Sequence, residues 1–316
     1  MNEGSESSGP EVICLGSALV DEEYLLSNLP GPDGGAYVKE RAESFGGVGA
    51  NAAVALSRYG RGVGMITRVG EDERGERVVE NLALEGVGTR GISHGPEPST
   101  YCMVFRDDTG ERFIITGGES TRNLRLDDGD HERLRSADLV VANAYCPDRV
   151  SRDLADLARS GVPASFDLTG PIAELEDRGT ERETLDALLP GLSLFVCGGV
   201  AAESYLGVRG REAVDALRER GVERGAFTRG EEGAILWEGD CVTSIPAFEV
   251  DVVDTTGAGD AFHAALVHRW LLGGREMAEA GRFAAAAGAL NCTTEGARGG
   301  LASEDEVEAF LAERTT

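Results

Sequence analysis

Short apolar runs separated by amphipathic stretches set the rhythm of this chain. Residues 11–16 form an apolar run ending in glycine, which predicts a buried first strand. Residues 63–69 predict a second strand, and residues 73–84 a helix that closes at Gly86. From residue 137 onward the alternation is regular, with strands at 137–142, 163–167, 194–197 and 225–228 and helices at 151–160, 181–189 and 211–220. A hairpin pattern at 234–237 and 241–245 precedes closing helices over 258–272, 275–291 and 304–312. Strands that are apolar throughout need cover on both sides, so the pattern predicts an α/β fold with a mainly parallel sheet and helices on both faces.

Two segments break the rhythm. Residues 26–44, with Pro30 and Pro32, read as a loop leading to a short strand near 36–42. Residues 100–105 and 111–116 flank Asp107-Asp108-Thr109-Gly110, a hairpin signal. A hairpin interrupting a βα pattern predicts a small inserted β lid, built from segments of approximately 22–45 and 98–117 within one domain spanning 1–316.

Composition changes this picture in one respect. There are 56 acidic residues against 30 basic ones, the formal charge is −26, and Lys39 is the only lysine. Acidity spread along the whole chain excludes nucleic acid as a partner and predicts a salt-rich cytoplasm, where at 1 M the screening length falls to about 3 Å. Residues 1–10 are polar and no run approaches the length of a membrane span, so the expectation is a cytoplasmic protein without membrane association. The six cysteines form no CxxC pair and indicate neither a disulfide framework nor a zinc site. None of the four histidines has a partner at metal-ligand spacing, and His263, three residues after Asp260, reads as a packing residue.

Candidate chemistry concentrates in residues 253–262. Gly257, Ala258 and Gly259 open an alanine-rich helix, where free N–H groups and small side chains admit an anion to the backbone. Asp260 follows at the place where a carboxylate takes a proton from an attacking hydroxyl; the plainer alternative is a capping turn. Farther upstream, Gly47-x-Gly49-x-x-Ala52 imitates a dinucleotide fingerprint, but the charged residues 40–44 are no buried strand to precede it. It reads instead as close backbone approach to a small ligand, with Asn51 offering its amide or merely capping the helix. Asp21 lies just beyond the first strand, where ligands of open α/β sheets collect, or is a solvated loop residue. Thr228, Gly230 and Gly233 form a turn suited to phosphate, or a simple glycine turn.

Together these residues resemble the ribokinase-like (PfkB) family of carbohydrate and nucleoside kinases over nearly the whole chain. Asp254-Thr255-Thr256-Gly257-Ala258-Gly259-Asp260 matches the C-terminal signature position by position, and Gly46, Gly47 and Asn51 match the N-terminal one. The resemblance implies a ribokinase-like fold and ATP-dependent, Mg²⁺-assisted phosphorylation of a sugar or nucleoside hydroxyl. Asp260 would be the base, and the N–H groups of Gly257, Ala258 and Gly259 the anion hole. Asp21, Gly46, Gly47 and Asn51 would hold the acceptor, with Thr228, Gly230 and Gly233 at the nucleotide loop. It also implies K⁺ near Asp254, Thr256 and the loop around Gly296, and a homodimer through the lid.

The chain departs from the family at two places. Residues 197–204 lack the family's Asn-x-x-Glu motif, which leaves Glu203 as a stand-in or the metal held through water and phosphate. Val48 stands where ribokinases and kinases of phosphorylated fructose commonly carry a lysine, which favours a neutral acceptor. Residues 114–117 are neutral where kinases of 2-keto-3-deoxygluconate tend to show an arginine. Tyr101 and Phe113 on the lid stack on a base or sugar, or simply pack. The degraded motif also leaves a second expectation, a nucleotide- or sugar-binding sensor with weak or lost kinase activity.

Overall fold

The computed structural model describes residues 12–109 and 111–314. Glu11, at the start of the expected first strand, and Gly110, in the expected hairpin turn, lie outside the described residues. The strands are β1 (Val12–Leu15), β2 (Leu19–Leu26), β3 (Val38–Gly46), β4 (Val63–Gly70), β5 (Gly88–Gly95), β6 (Tyr101–Arg106), β7 (Arg112–Gly117), β8 (Leu139–Asn143), β9 (Ala164–Leu168), β10 (Leu194–Gly198), β11 (Arg224–Thr228), β12 (Ala234–Glu238) and β13 (Cys241–Ile245). The helices are α1 (Val48–Arg58), α2 (Glu73–Leu84), α3 (Asp128–Ser136), α4 (Asp148–Arg159), α5 (Ile172–Asp177), α6 (Arg182–Leu188), α7 (Gly199–Leu206), α8 (Gly210–Glu219), α9 (Ala258–Leu266), α10 (Met277–Asn291) and α11 (Glu304–Glu313).

Nine strands form one sheet in the order β13-β12-β11-β10-β9-β8-β1-β4-β5, parallel from β11 to β5 and antiparallel at β12 and β13. Successive side chains of a strand point to opposite faces, and both faces here are covered. Val12 and Cys14 of β1 join a core with α1, α9 and α10, whereas Ile13 and Leu15 join a second core with α4, α6 and α8. Burying each such aliphatic side chain contributes about 1.5–3 kcal/mol, which is why these strands are apolar without interruption.

A second sheet has the order β3-β2-β6-β7, with β2 and β6 parallel. Residues 19–26 are therefore a strand, and Asp21 sits within it rather than in a loop beyond β1. The charged residues of β2 hide this from a hydropathy reading, because Glu22 is buried against Arg74 at 2.6 Å. Register aligns Asp21, Cys102 and Thr116 on the face toward the large sheet. On the outer face Tyr24, Phe105 and Phe113 stack with successive ring centroids 5.1 Å apart. The strand β5 and the helices α3 and α5 were not among the expected elements. The helix expected over 258–272 is α-helical only to Leu266, and Val267–Leu272 form a π-helical turn.

Candidate active site

The carboxyl ends of the central strands and the inner face of the small sheet enclose a cavity of about 1490 Å³. α9 enters it N-terminus first. Gly257, at the helix N-cap, has φ 77°, and a Cβ there would run into the Ala297 carbonyl oxygen, so both backbone conformation and space demand glycine. Gly259 faces open space, and its neighbours Gly257 and Asp260 line the cavity with it. The first-turn N–H groups of α9 thus meet a space free of side chains, which suits an anion.

Asp260 is 7% exposed, and its Oδ2 accepts a hydrogen bond of 2.7 Å from Asn51 Nδ2. Burial pushes its carboxyl up to about 7, against the Asn51 hydrogen bond and the positive charge of Arg298. Asp167, at the end of β9, lines the same cavity; burial first, and then the Asp260 charge, hold its carboxyl well above the usual range. His263 is buried against Ser165 Oγ at 2.5 Å, and desolvation lowers it to about 4, so it packs as a neutral ring.

Asp21 lines the same cavity, as do Gly47 and Asn51. A Cβ on Gly46 would strike the Asp21 carboxylate, so the bare α-carbon lets the acid lie against the backbone. Burial, then Glu23, raises Asp21 to about 6. Gly47 has φ 94°, and a Cβ there would come within 2.6 Å of the Ser17 carbonyl oxygen. Gly47 therefore serves close approach of α1 to the turn after β1, while Gly46 makes room for Asp21.

The remaining candidates separate. Thr228 lines the cavity near Gly198, whereas Gly230 and Gly233 turn the chain into β12 with φ of 56° and 83°. Asp254 Oδ1 accepts from Thr256 N at 2.9 Å and Thr256 Oγ1 at 2.7 Å, and Oδ2 accepts from Gly296 N at 3.0 Å. Burial works to raise the Asp254 carboxyl, but these bonds hold it below the usual range. Glu203 pairs with Arg209 at 2.5 Å and is not a cavity residue, so it is no stand-in for the missing motif. Among the described residues no group of three or more His, Cys, Asp or Glu side chains is placed to hold a metal. Asp167 is a second carboxyl side chain in the cavity, and a Mg²⁺ ion beside it fits if phosphate and water oxygens complete its shell.

Four site residues had no sequence signal. Asp167 reads as the end of an apolar strand, and Tyr145 as part of a loop. Arg112, on β7, donates to Thr256 Oγ1 at 2.9 Å, and Arg298 follows Ala297 in a glycine-rich loop. Of the two lid aromatics, Tyr101 carries the Arg74 guanidinium 4.3 Å from its ring centroid, so it packs, while Phe113 stacks on Phe105 on the outer face and borders the cavity only at its edge.

A family model described as pfkB family carbohydrate kinase matches residues 10–304. An ATP-dependent ribose-1-phosphate kinase of Halopiger xanaduensis is 30% identical over 308 residues, covering 96% of this chain and 98% of the relative. A ribokinase of Arabidopsis thaliana is 28% identical over 92% of this chain and 78% of its own length. The solved structure of Arabidopsis thaliana ribokinase complexed with ribose and ATP superposes with a TM-score of 0.84 at 25% identity, covering 96% of this chain and 99% of the other. A ribokinase of Thermotoga maritima gives 0.83 at 25% identity, with coverage of 96% and 99%.

Proposed function

The chain belongs to the pfkB family of carbohydrate kinases, and from that premise we propose that it moves the terminal phosphoryl group of ATP onto a hydroxyl of a ribose-type sugar or nucleoside, with Asp260 as the base. It is an ATP-dependent phosphotransferase with an alcohol acceptor. The observation that carries the site reading is Asp260 itself, a buried carboxylate with a pKa pushed up to about 7 in the first turn of α9. A base poised near the operating pH serves general base catalysis best. Its Oδ2 is occupied by Asn51. The other oxygen takes the acceptor's proton as that hydroxyl oxygen bonds to phosphorus and the bond from phosphorus to the bridging oxygen of ADP breaks.

The N–H groups of Gly257, Ala258 and Gly259 stabilise the charge on the phosphoryl oxygens, and Asp21, Gly46, Gly47 and Asn51 orient the acceptor. Thr228, with the turn through Gly230 and Gly233, contacts the nucleotide. A bound Mg²⁺ would neutralise charge on the phosphates, and Asp167 would be the residue to hold it. Asp254, Thr256 and the Gly296 loop are the residues to hold a monovalent cation.

Release of ADP, measured with ATP and Mg²⁺ in molar KCl against ribose, deoxyribose, nucleosides and ribose 1-phosphate, tests this. Turnover is expected on at least one acceptor; ATP binding without turnover on any would leave the sensor reading standing instead. A second reading, an acceptor that already carries a phosphate, is favoured by Arg178. Its guanidinium lies 4.7 Å from the Tyr145 ring centroid at the cavity wall and makes no ion pair among the described residues. The Halopiger relative is named for such an acceptor. On this reading Arg178→Gln raises KM for ribose 1-phosphate about tenfold and leaves that for ribose unchanged. The apolar outer face of the small sheet, with Phe113 and Ile115 exposed, supports a homodimer through the lid; light scattering at the monomer mass would overturn it.

A further inference from the structure

Arg298 sits in the loop after α10, one residue from the Ala297 carbonyl that faces Gly257. Its guanidinium donates from Nε to Asn51 Oδ1 at 2.7 Å, from Nη1 to Asn81 Oδ1 at 2.9 Å and from Nη2 to the Gly46 carbonyl at 2.8 Å. All three acceptors are uncharged. A desolvated guanidinium usually finds a carboxylate. Here the direct partners are two amides and a peptide, and one of the amides, Asn51, is bonded to the proposed base.

We infer that Arg298 is a positioning residue that locks the Asn51 amide with its nitrogen toward Asp260, and so fixes the orientation of the proposed base. The inference rests on the reading of Asp260 as that base. An asparagine amide presents an acceptor on one side and donors on the other. With Oδ1 held by Arg298 Nε, Nδ2 is left to donate to Asp260 Oδ2 at 2.7 Å. Rotating the amide by half a turn would set its oxygen against a carboxylate and its N–H₂ against the guanidinium, so the flipped state is repelled at both ends. The bond to Gly46 also ties this unit to the wall on which Asp21 rests.

The electrostatics agree. Desolvation lowers Arg298 to about 10, so it stays cationic at neutral pH. Its charge acts on Asp260 and on Asp21 in the direction that favours their ionised forms. The other titratable groups near Asp260 are Asp167 on β9, Tyr145 after β8 and His263 on α9 itself. Asp167 opposes ionisation and His263 is neutral, whereas the Arg298 charge favours the ionised base; Arg112 and Arg178 also line the cavity. Buried charge is screened little by salt, so this effect persists in molar KCl.

The test is the pH profile of kcat in the full chain for Arg298→Met, Arg298→Gln, Arg298→Lys and, in parallel, Asp260→Asn. Activity of the parent rises with pH as Asp260 ionises. Without the cation the carboxyl is harder to ionise, so the rising limb of Arg298→Met and Arg298→Gln should move up by about one pH unit, a roughly tenfold loss on the acidic side that shrinks toward pH 9. Arg298→Lys should restore the limb but not the full kcat, because a single ammonium cannot grip Asn51 and Gly46 together. An unmoved limb in Arg298→Gln, or a loss equal at every pH, overturns the inference while an inactive Asp260→Asn keeps the base reading intact. An active Asp260→Asn overturns both. Should Arg298→Met fail to fold, the glutamine and lysine variants decide.

Discussion

Replacing Asp260 by asparagine should slow the enzyme and stabilise the fold at once. The substitution is isosteric, and an asparagine oxygen can still accept from Asn51 Nδ2, which now holds Asp260 Oδ2 at 2.7 Å. Loss of a general base costs about 10²–10⁴ in kcat, while ATP affinity, set by contacts to the phosphates and adenosine, should remain. Stability moves the other way. The carboxyl is raised from 3.8 to about 7 by burial. Between those values the folded state holds a proton that the unfolded chain has released, so stability falls as pH rises from about 4 to 7 and the full penalty applies above 7. At 1.36 kcal/mol per unit, that penalty is on the order of 4 kcal/mol, an upper figure because the surroundings relax. Asp260→Asn removes it. Its Tm should exceed the parent's by several degrees at pH 8 and by little at pH 4.5. ADP release measures the first effect, and melting curves at the two pH values the second. Near-normal kcat would refute the base assignment, and an equal Tm difference at both pH values would refute burial as the cause of the shift.

Further outcomes concern the glycines of the helix start and the salt. Gly257→Ala meets both a φ of 77° and the Ala297 carbonyl, so Tm and kcat should fall together, whereas Gly259→Ala faces open space and should weaken ATP binding with Tm unchanged. Exchanging KCl for NaCl at equal molarity should lower kcat several-fold if the Asp254 and Thr256 loop holds K⁺, and dilution into low salt should unfold the protein through repulsion among its 56 acidic residues.

The large sheet was legible because its strands are covered on both faces and therefore apolar without interruption, and the glycine signature was legible because Gly257 cannot be any other residue. The small sheet was harder to read. One face of β2 turns to the cavity and the other to solvent and Arg74, so Asp21, Glu22 and Glu23 are polar for different reasons and leave no alternation. Arg298 was invisible for another reason. It belongs to no periodic element, and its role appears only when the loop after α10 is folded against α1. Asp167 is a polar residue near a strand end whose meaning depends on the charge of Asp260 in the same cavity.

The contacts that complete the proposed base span the chain. Asn51 meets Asp260 across 209 positions and Arg298 across 247. A ribosome making this protein releases the acceptor wall long before Arg298, so no nascent fragment short of residue 298 can assemble the unit. Loop closure over such distances is slow relative to local helix formation. On the proposed reading, assembly of the base is thereby tied to synthesis past residue 298, and a copy arrested before that point lacks the contact that orients Asn51.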